Sequence, residues 1–107
     1  MKISVTGRHV EVTDDVKTYA EKKMAKMPRY YDRIQAIDVV LDHESGNFSV
    51  EVIISADGNP IVAHEVGPDT FALIDLVSDK LERQLVKHKE RFRNRKHTGR
   101  RPEKEET

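Results

Sequence analysis

Cysteine and tryptophan are both absent from this 107-residue chain, glycine occurs five times, and aromatic residues make up only 6% of it. Without cysteine there is no disulfide framework and no thiolate-ligated metal centre, and nothing argues for secretion. Long apolar runs are missing as well. None approaches the roughly 18 residues of a membrane span, and the N-terminus has no signal-peptide pattern, so a soluble cytoplasmic protein is the expectation. A glycine-rich phosphate loop, a Walker pattern and a Ser-His-Asp signature are also lacking, so an enzyme is not expected. The histidines, His9, His43, His64, His88 and His97, are dispersed without HxxxH spacing, which predicts neither a metal site nor a cofactor. Asp38 and Asp42 share one face of a predicted strand, where carboxylates more often guard solubility and strand edges than do acid–base work.

What the chain does have is charge, 36% of its residues, and that charge is segregated. The formal net charge is zero, yet residues 1–79 hold eight Lys and Arg against fourteen Asp and Glu. Residues 80–101 hold ten basic residues against two acids, and the last six residues return to a small acidic excess. Such segregation points to a polyanionic partner met by one end of the molecule.

The length suits one small domain with a single core. Residues 1–6 alternate, with Ile3 and Val5 on one face, and Gly7 closes the strand. Thr13 or Asp14 caps a helix expected to run to Met27, where Pro28 ends it; Val16, Tyr19, Ala20, Met24 and Met27 form its core arc. Lys23 lies within that arc, with Lys22 and Lys26 beside it. Residues 34–43 alternate with Ile37, Val39 and Leu41 inward, Ser45-Gly46-Asn47 makes a turn, and residues 48–56 place Phe48, Val50, Val52 and Ile54 inward. A turn at Asp57-Gly58-Asn59-Pro60 leads to a strand at 61–66, and Asp69 or Thr70 caps a long second helix. Tyr30 and Tyr31 are expected to anchor the loop after Pro28. The fold class is α+β, ordered β-α-β-β-β-α: a four-stranded sheet with two helices on one face and the first strand parallel to its neighbour.

The second helix divides by the helical step of about 100° into three faces. Ile74, Val77, Leu81, Leu85 and Phe92 form an apolar seam. Lys80, Arg83, Lys87 and Arg91 form a lengthwise basic stripe beside it, and Asp79, Glu82 and Glu90 fill much of the remainder. His88 sits between seam and stripe, placed to stack on or hydrogen-bond a nucleotide. A charged helix face is most often simply solvated, but this three-way division favours a phosphate-binding face. Lys23 and Lys26 are expected to join the stripe across a groove between the helices, suited to folded RNA. Residues 97–107 carry no apolar side chain and are predicted to form a flexible charged tail beyond a domain of residues 1–96. Its Arg100 and Arg101 are candidates to extend the polyanion contact, while residues 103–106 make its acidic end.

The stretch DKLERQLVKHK, preceded by Ala72-Leu73-Ile74-Asp75, together with the early TG, VEVTD at the first helix and YYDRI before the second strand, resembles the short bacterial ribosome hibernation factors over about residues 1–96. These comprise hibernation-promoting factor and ribosome-associated inhibitor A, also called protein Y. The resemblance implies a fold similar to a double-stranded-RNA-binding domain. It also implies binding to the small ribosomal subunit and its rRNA in the mRNA/tRNA channel, with translation inhibited and idle ribosomes stabilised in stationary phase or stress. The family's rRNA-binding residues map onto Lys23, Lys26, Lys80, Arg83, Lys87, His88, Lys89 and Arg91. The KHK motif matches the type that favours ribosome dimers with a separate ribosome modulation factor, although the brief acidic end RRPEKEET is intermediate between the two types. A monomer off the ribosome is expected. The competing readings are a general double-stranded-RNA-binding module without ribosome preference, and an interaction protein whose basic helix docks an acidic protein.

Overall fold

The computed structural model describes residues 1–98, with side chains through Arg91. The order is β1 (Lys2–Arg8), α1 (Asp14–Met24), a 3-10 turn (Met27–Arg29), β2 (Ala36–Glu44), β3 (Asn47–Ser55), β4 (Ile61–Gly67) and α2 (Thr70–Thr98). The expected β-α-β-β-β-α order is present. The strands form one sheet in the order β1-β2-β3-β4, with β1 parallel to β2 and the other pairs antiparallel.

Alternation along the strands sorts side chains between the two faces. Ile37, Val39, Leu41, Val50, Val52, Ile54, Ile61 and Ala63 point to the helices and are buried with Ala20 and Met24 of α1 and Leu73, Ile74, Val77, Leu81 and Leu85 of α2. The opposite face carries Asp38, Glu51 and His64. Apolar burial on this one side supplies the main driving force for folding. Among the described residues, no helix is long and apolar enough to cross a membrane.

Several boundaries shift for local reasons. Strand β1 continues through Gly7 to Arg8. Gly7 is needed there because a Cβ would stand 2.4 Å from the Val10 carbonyl oxygen, where the chain folds back on itself. Helix α1 begins under the Thr13 cap, whose hydroxyl accepts from the Val16 amide, but ends at Met24 rather than at Met27. Pro28 lacks an amide donor and disfavours helical geometry at the residue before it, so the chain tightens into the 3-10 turn. The β2–β3 hairpin closes on Ser45 and Gly46, both at positive φ (53° and 80°), the pattern of a type I′ two-residue turn. Asp69 caps α2, its Oδ1 accepting from the Phe71 amide at 3.0 Å. Helix α2 runs past the expected boundary at 96 to Thr98. The rest of the expected tail, 99–107, including Arg100 and Arg101, and the side chain of Phe92 lie outside the described residues.

Candidate nucleic-acid interface

Helix α2 spans 29 residues, about 44 Å at a rise of about 1.5 Å per residue, whereas α1 spans 11. Two contacts set their relation. Tyr19 packs edge-on against Phe71, centroids 5.3 Å apart, and one turn further along both helices Lys23 Nζ stands 3.1 Å from Asp75 Oδ1. Equally spaced pairs of this kind mean that the helices run in the same direction. The second half of α2 therefore projects beyond the end of α1.

The flank of α2 that meets α1 is aromatic and acidic. Asp75 Oδ1 accepts from Tyr19 Oη at 2.5 Å as well as from Lys23. The bond from Tyr19 and the Lys23 charge hold the Asp75 carboxyl below its usual pKa, while the bonds to Asp75 raise those of Tyr19 and Lys23. The basic stripe lies on the other flank, over the β4 edge. There Lys80 Nζ reaches Glu65 Oε2 of β4 at 2.5 Å, and Gln84 Nε2 donates to the Val62 carbonyl at 3.3 Å.

This corrects the expected groove shared by the two helices. The helical repeat places the stripe beside the seam, but the sheet order places β4 on that side and α1 on the opposite one. Lys23 and the stripe thus lie on different flanks. Lys23 and Lys80 are ion-paired within the protein, and Lys26 is exposed just beyond the end of α1.

Further along α2, Arg83, Lys87, Lys89 and Arg91 are exposed and have no carboxylate of a described residue within ion-pair distance. Lys87, His88 and Arg91, with Gln84, line an open groove whose other wall is the β3–β4 turn, Asp57 to Ile61. Lys89 lies about 160° around the helix from Lys87, outside that groove. The His88 ring stands perpendicular to Tyr31, centroids 4.9 Å apart, and its Nε2 is buried without a hydrogen-bond partner among the described residues. Tyr31 is 3% exposed and donates to Asp57 Oδ2 at 3.4 Å, which Arg33 Nη1 also reaches at 3.0 Å. Burial, then the Asp57 charge, raises the Tyr31 hydroxyl above its ordinary pKa. The loop-anchoring role expected of Tyr31 is thus present, and it braces the groove.

Three of the eight candidate residues meet in one groove, and a fourth, Arg83, shares their flank. In sequence, residues 57–60 read only as a turn and Gln84 carries no signal of its own. The pairing of that turn with α2 spans more than twenty residues and leaves no local pattern. A second polar cluster also went unread. His9 Nδ1 stands 3.0 Å from Asp42 Oδ1 and 3.8 Å from Glu44 Oε2, and Arg8 lies 3.5 Å from Asp42. These donors could reach a metal ion, but Arg8 already supplies a cation to Asp42. Asp38, its partner in the expected acidic pair, accepts from Ser4 Oγ at 2.6 Å.

The family described as "Sigma 54 modulation protein / S30EA ribosomal protein" matches residues 3–93. The ribosome hibernation promoting factor of Azotobacter vinelandii is 36% identical over 102 residues, covering 95% of this chain and 94% of the relative. That of Escherichia coli K12 is 37% identical over 93 residues, covering 87% and 98%. Among solved structures, the N-terminal domain of Thermus thermophilus Protein Y superposes with a TM-score of 0.75 at 32% identity, covering 82% of this chain and 99% of that one. A ribosomal subunit interface protein from Coxiella burnetii gives 0.78 at 28% identity, covering 84% and 99%.

Proposed function

Because this chain belongs to the sigma 54 modulation protein / S30EA ribosomal protein family, we propose that it is a non-catalytic ribosome hibernation factor. In this reading it binds the small subunit in the mRNA/tRNA channel, inhibits translation and stabilises inactive ribosomes in stationary phase or stress. It favours dimers together with a separate modulation factor. The observation that carries the proposal is the row of cations Arg83, Lys87 and Arg91, unpaired among the described residues, on one flank of a helix that projects beyond the rest of its layer. Such cations contact phosphates, which position a protein on RNA without reading sequence.

Lys23 and Lys80 enter differently, since their charges are already met by Asp75 and Glu65. They hold α1 and β4 against α2 and so present the flank rather than compose it. Lys26 and Lys89 are secondary contacts, reached only if RNA wraps the helix.

The test is a sucrose gradient of ribosomes with the protein, with and without the modulation factor. Co-migration with small subunits and added dimers support the reading. Displacement of the protein by naked duplex RNA at similar concentration would favour the general RNA-binding alternative instead.

A further inference from the structure

The groove between the β3–β4 turn and α2 has features that a duplex backbone does not require. A row of cations on a convex helix suffices for phosphates, yet here the cations rim a concavity of about 480 Å³. Lys87 and Arg91 form one wall, while Asn59, Pro60 and Ile61 form the other, with Gly58 making the turn at φ 84°. His88 lines the same groove through its ring, while its Nε2 is closed to solvent and has no hydrogen-bond partner among the described residues. A phosphate alone would engage the cations and leave the Asn59 amide and the Pro60 ring without a role.

We propose that this groove takes one unstacked nucleotide of a single-stranded RNA segment. The phosphate lies on Lys87 and Arg91, the base lies against Pro60, and its polar edge meets Asn59. The site is braced beforehand, because Tyr31 packs on His88 and bonds to Asp57 of the turn, with Arg33 on the same carboxylate. A site so prepared orders few groups on binding. Single-stranded RNA is the chemistry it suits, since paired bases are stacked and their edges lie out of side-chain reach. The inference rests on the ribosomal reading for the source of the RNA, but its physical content is separate.

The experiment is an NMR titration of the free protein with the four 5′-mononucleotides, with ribose 5-phosphate as the base-free control, run alongside small-subunit pelleting. At least one mononucleotide is expected to give saturable shifts at the amides of Gly58, Asn59, Gln84 and His88, binding about fivefold or more tightly than ribose 5-phosphate. Asn59→Ala is expected to remove most of that preference. Equal binding of ribose 5-phosphate, or an absence of shifts at the turn, overturns the proposal. Pelleting without base preference rejects the groove alone, whereas base preference without pelleting rejects the ribosomal reading alone.

Discussion

Lys23 of α1 and Asp75 of α2 form an ion pair at 3.1 Å across the helix interface, beside the Tyr19 hydroxyl bonded to the same carboxylate oxygen. A cation that the sequence offers to RNA is thereby held within the fold. The consequence is a division of labour among lysines that look alike in sequence. Some join the layers, and others meet no carboxylate among the described residues.

The cluster sets a pH window. Asp75 has its folded pKa lowered, so its contribution is complete above the unfolded value of about 3.9 and is lost as pH falls through the folded value. Tyr19 and Lys23 have theirs raised, so their contributions are complete below about 10 and are lost as pH rises beyond. Thermal midpoints of wild type and Asp75→Asn are expected to differ most between about pH 5 and 9 and to converge below about pH 4. A pH-independent difference would show that the Asp75 charge is not what the cluster uses.

Reversing the free flank separates binding from folding. Lys87→Glu combined with Arg91→Glu is expected to weaken pelleting with small subunits by about tenfold or more, with an unchanged circular dichroism spectrum. Lys23→Gln is expected to do the reverse, lowering the thermal midpoint with a smaller effect on pelleting. If Lys23→Gln proves the more damaging to pelleting, the assignment of flanks is wrong.

Salt dependence counts the contacts. Each phosphate contact contributes about 0.7–0.9 to the slope of log affinity against log salt. Single alanine substitutions at Arg83, Lys87 and Arg91 are each expected to reduce the slope by about one such step. Lys80→Ala, whose charge is held by Glu65, is expected to change it less.

Stability rests on the seam and on one close backbone approach. Leu81 is fully buried, and Leu81→Ala is expected to cost about 2–5 kcal/mol in urea unfolding. Gly7→Ala adds only a methyl group on an exposed residue, yet that methyl would meet the Val10 carbonyl oxygen and Val12 Cγ2 at 2.4 and 2.9 Å. It too is expected to lower the unfolding midpoint clearly, where an ordinary exposed position would tolerate alanine.

Much of the fold was legible because its signals are local. The alternation of Ile37, Val39 and Leu41, and of Val50, Val52 and Ile54, marked both the strands and their buried face. The Asp69 cap and the repeat of Ile74, Val77, Leu81 and Leu85 set the start and the core side of α2. Thr13 marked the start of α1, but its end was misplaced, since Met27 is buried as a helical residue would be while sitting in the 3-10 turn before Pro28's constraint. Phe48 faces inward with its neighbours as expected and packs against the core, half-buried because it lies near the hairpin end, where its ring meets His43 at 4.5 Å.

The sequence by itself determined that α2 carries an apolar seam with a row of cations beside it, because a helix converts spacing into angle by a fixed rule. Only the tertiary structure decided which cations are paired among the described residues. Helical spacing says how far one residue lies around the axis from another, and is silent about what stands there. The sheet order put β4 and Glu65 beside Lys80, the parallel run of the helices put Asp75 against Lys23, and the β3–β4 turn came to lie opposite Lys87 and Arg91. Each of those meetings joins elements distant in sequence, and their partners are settled by packing the whole core at once.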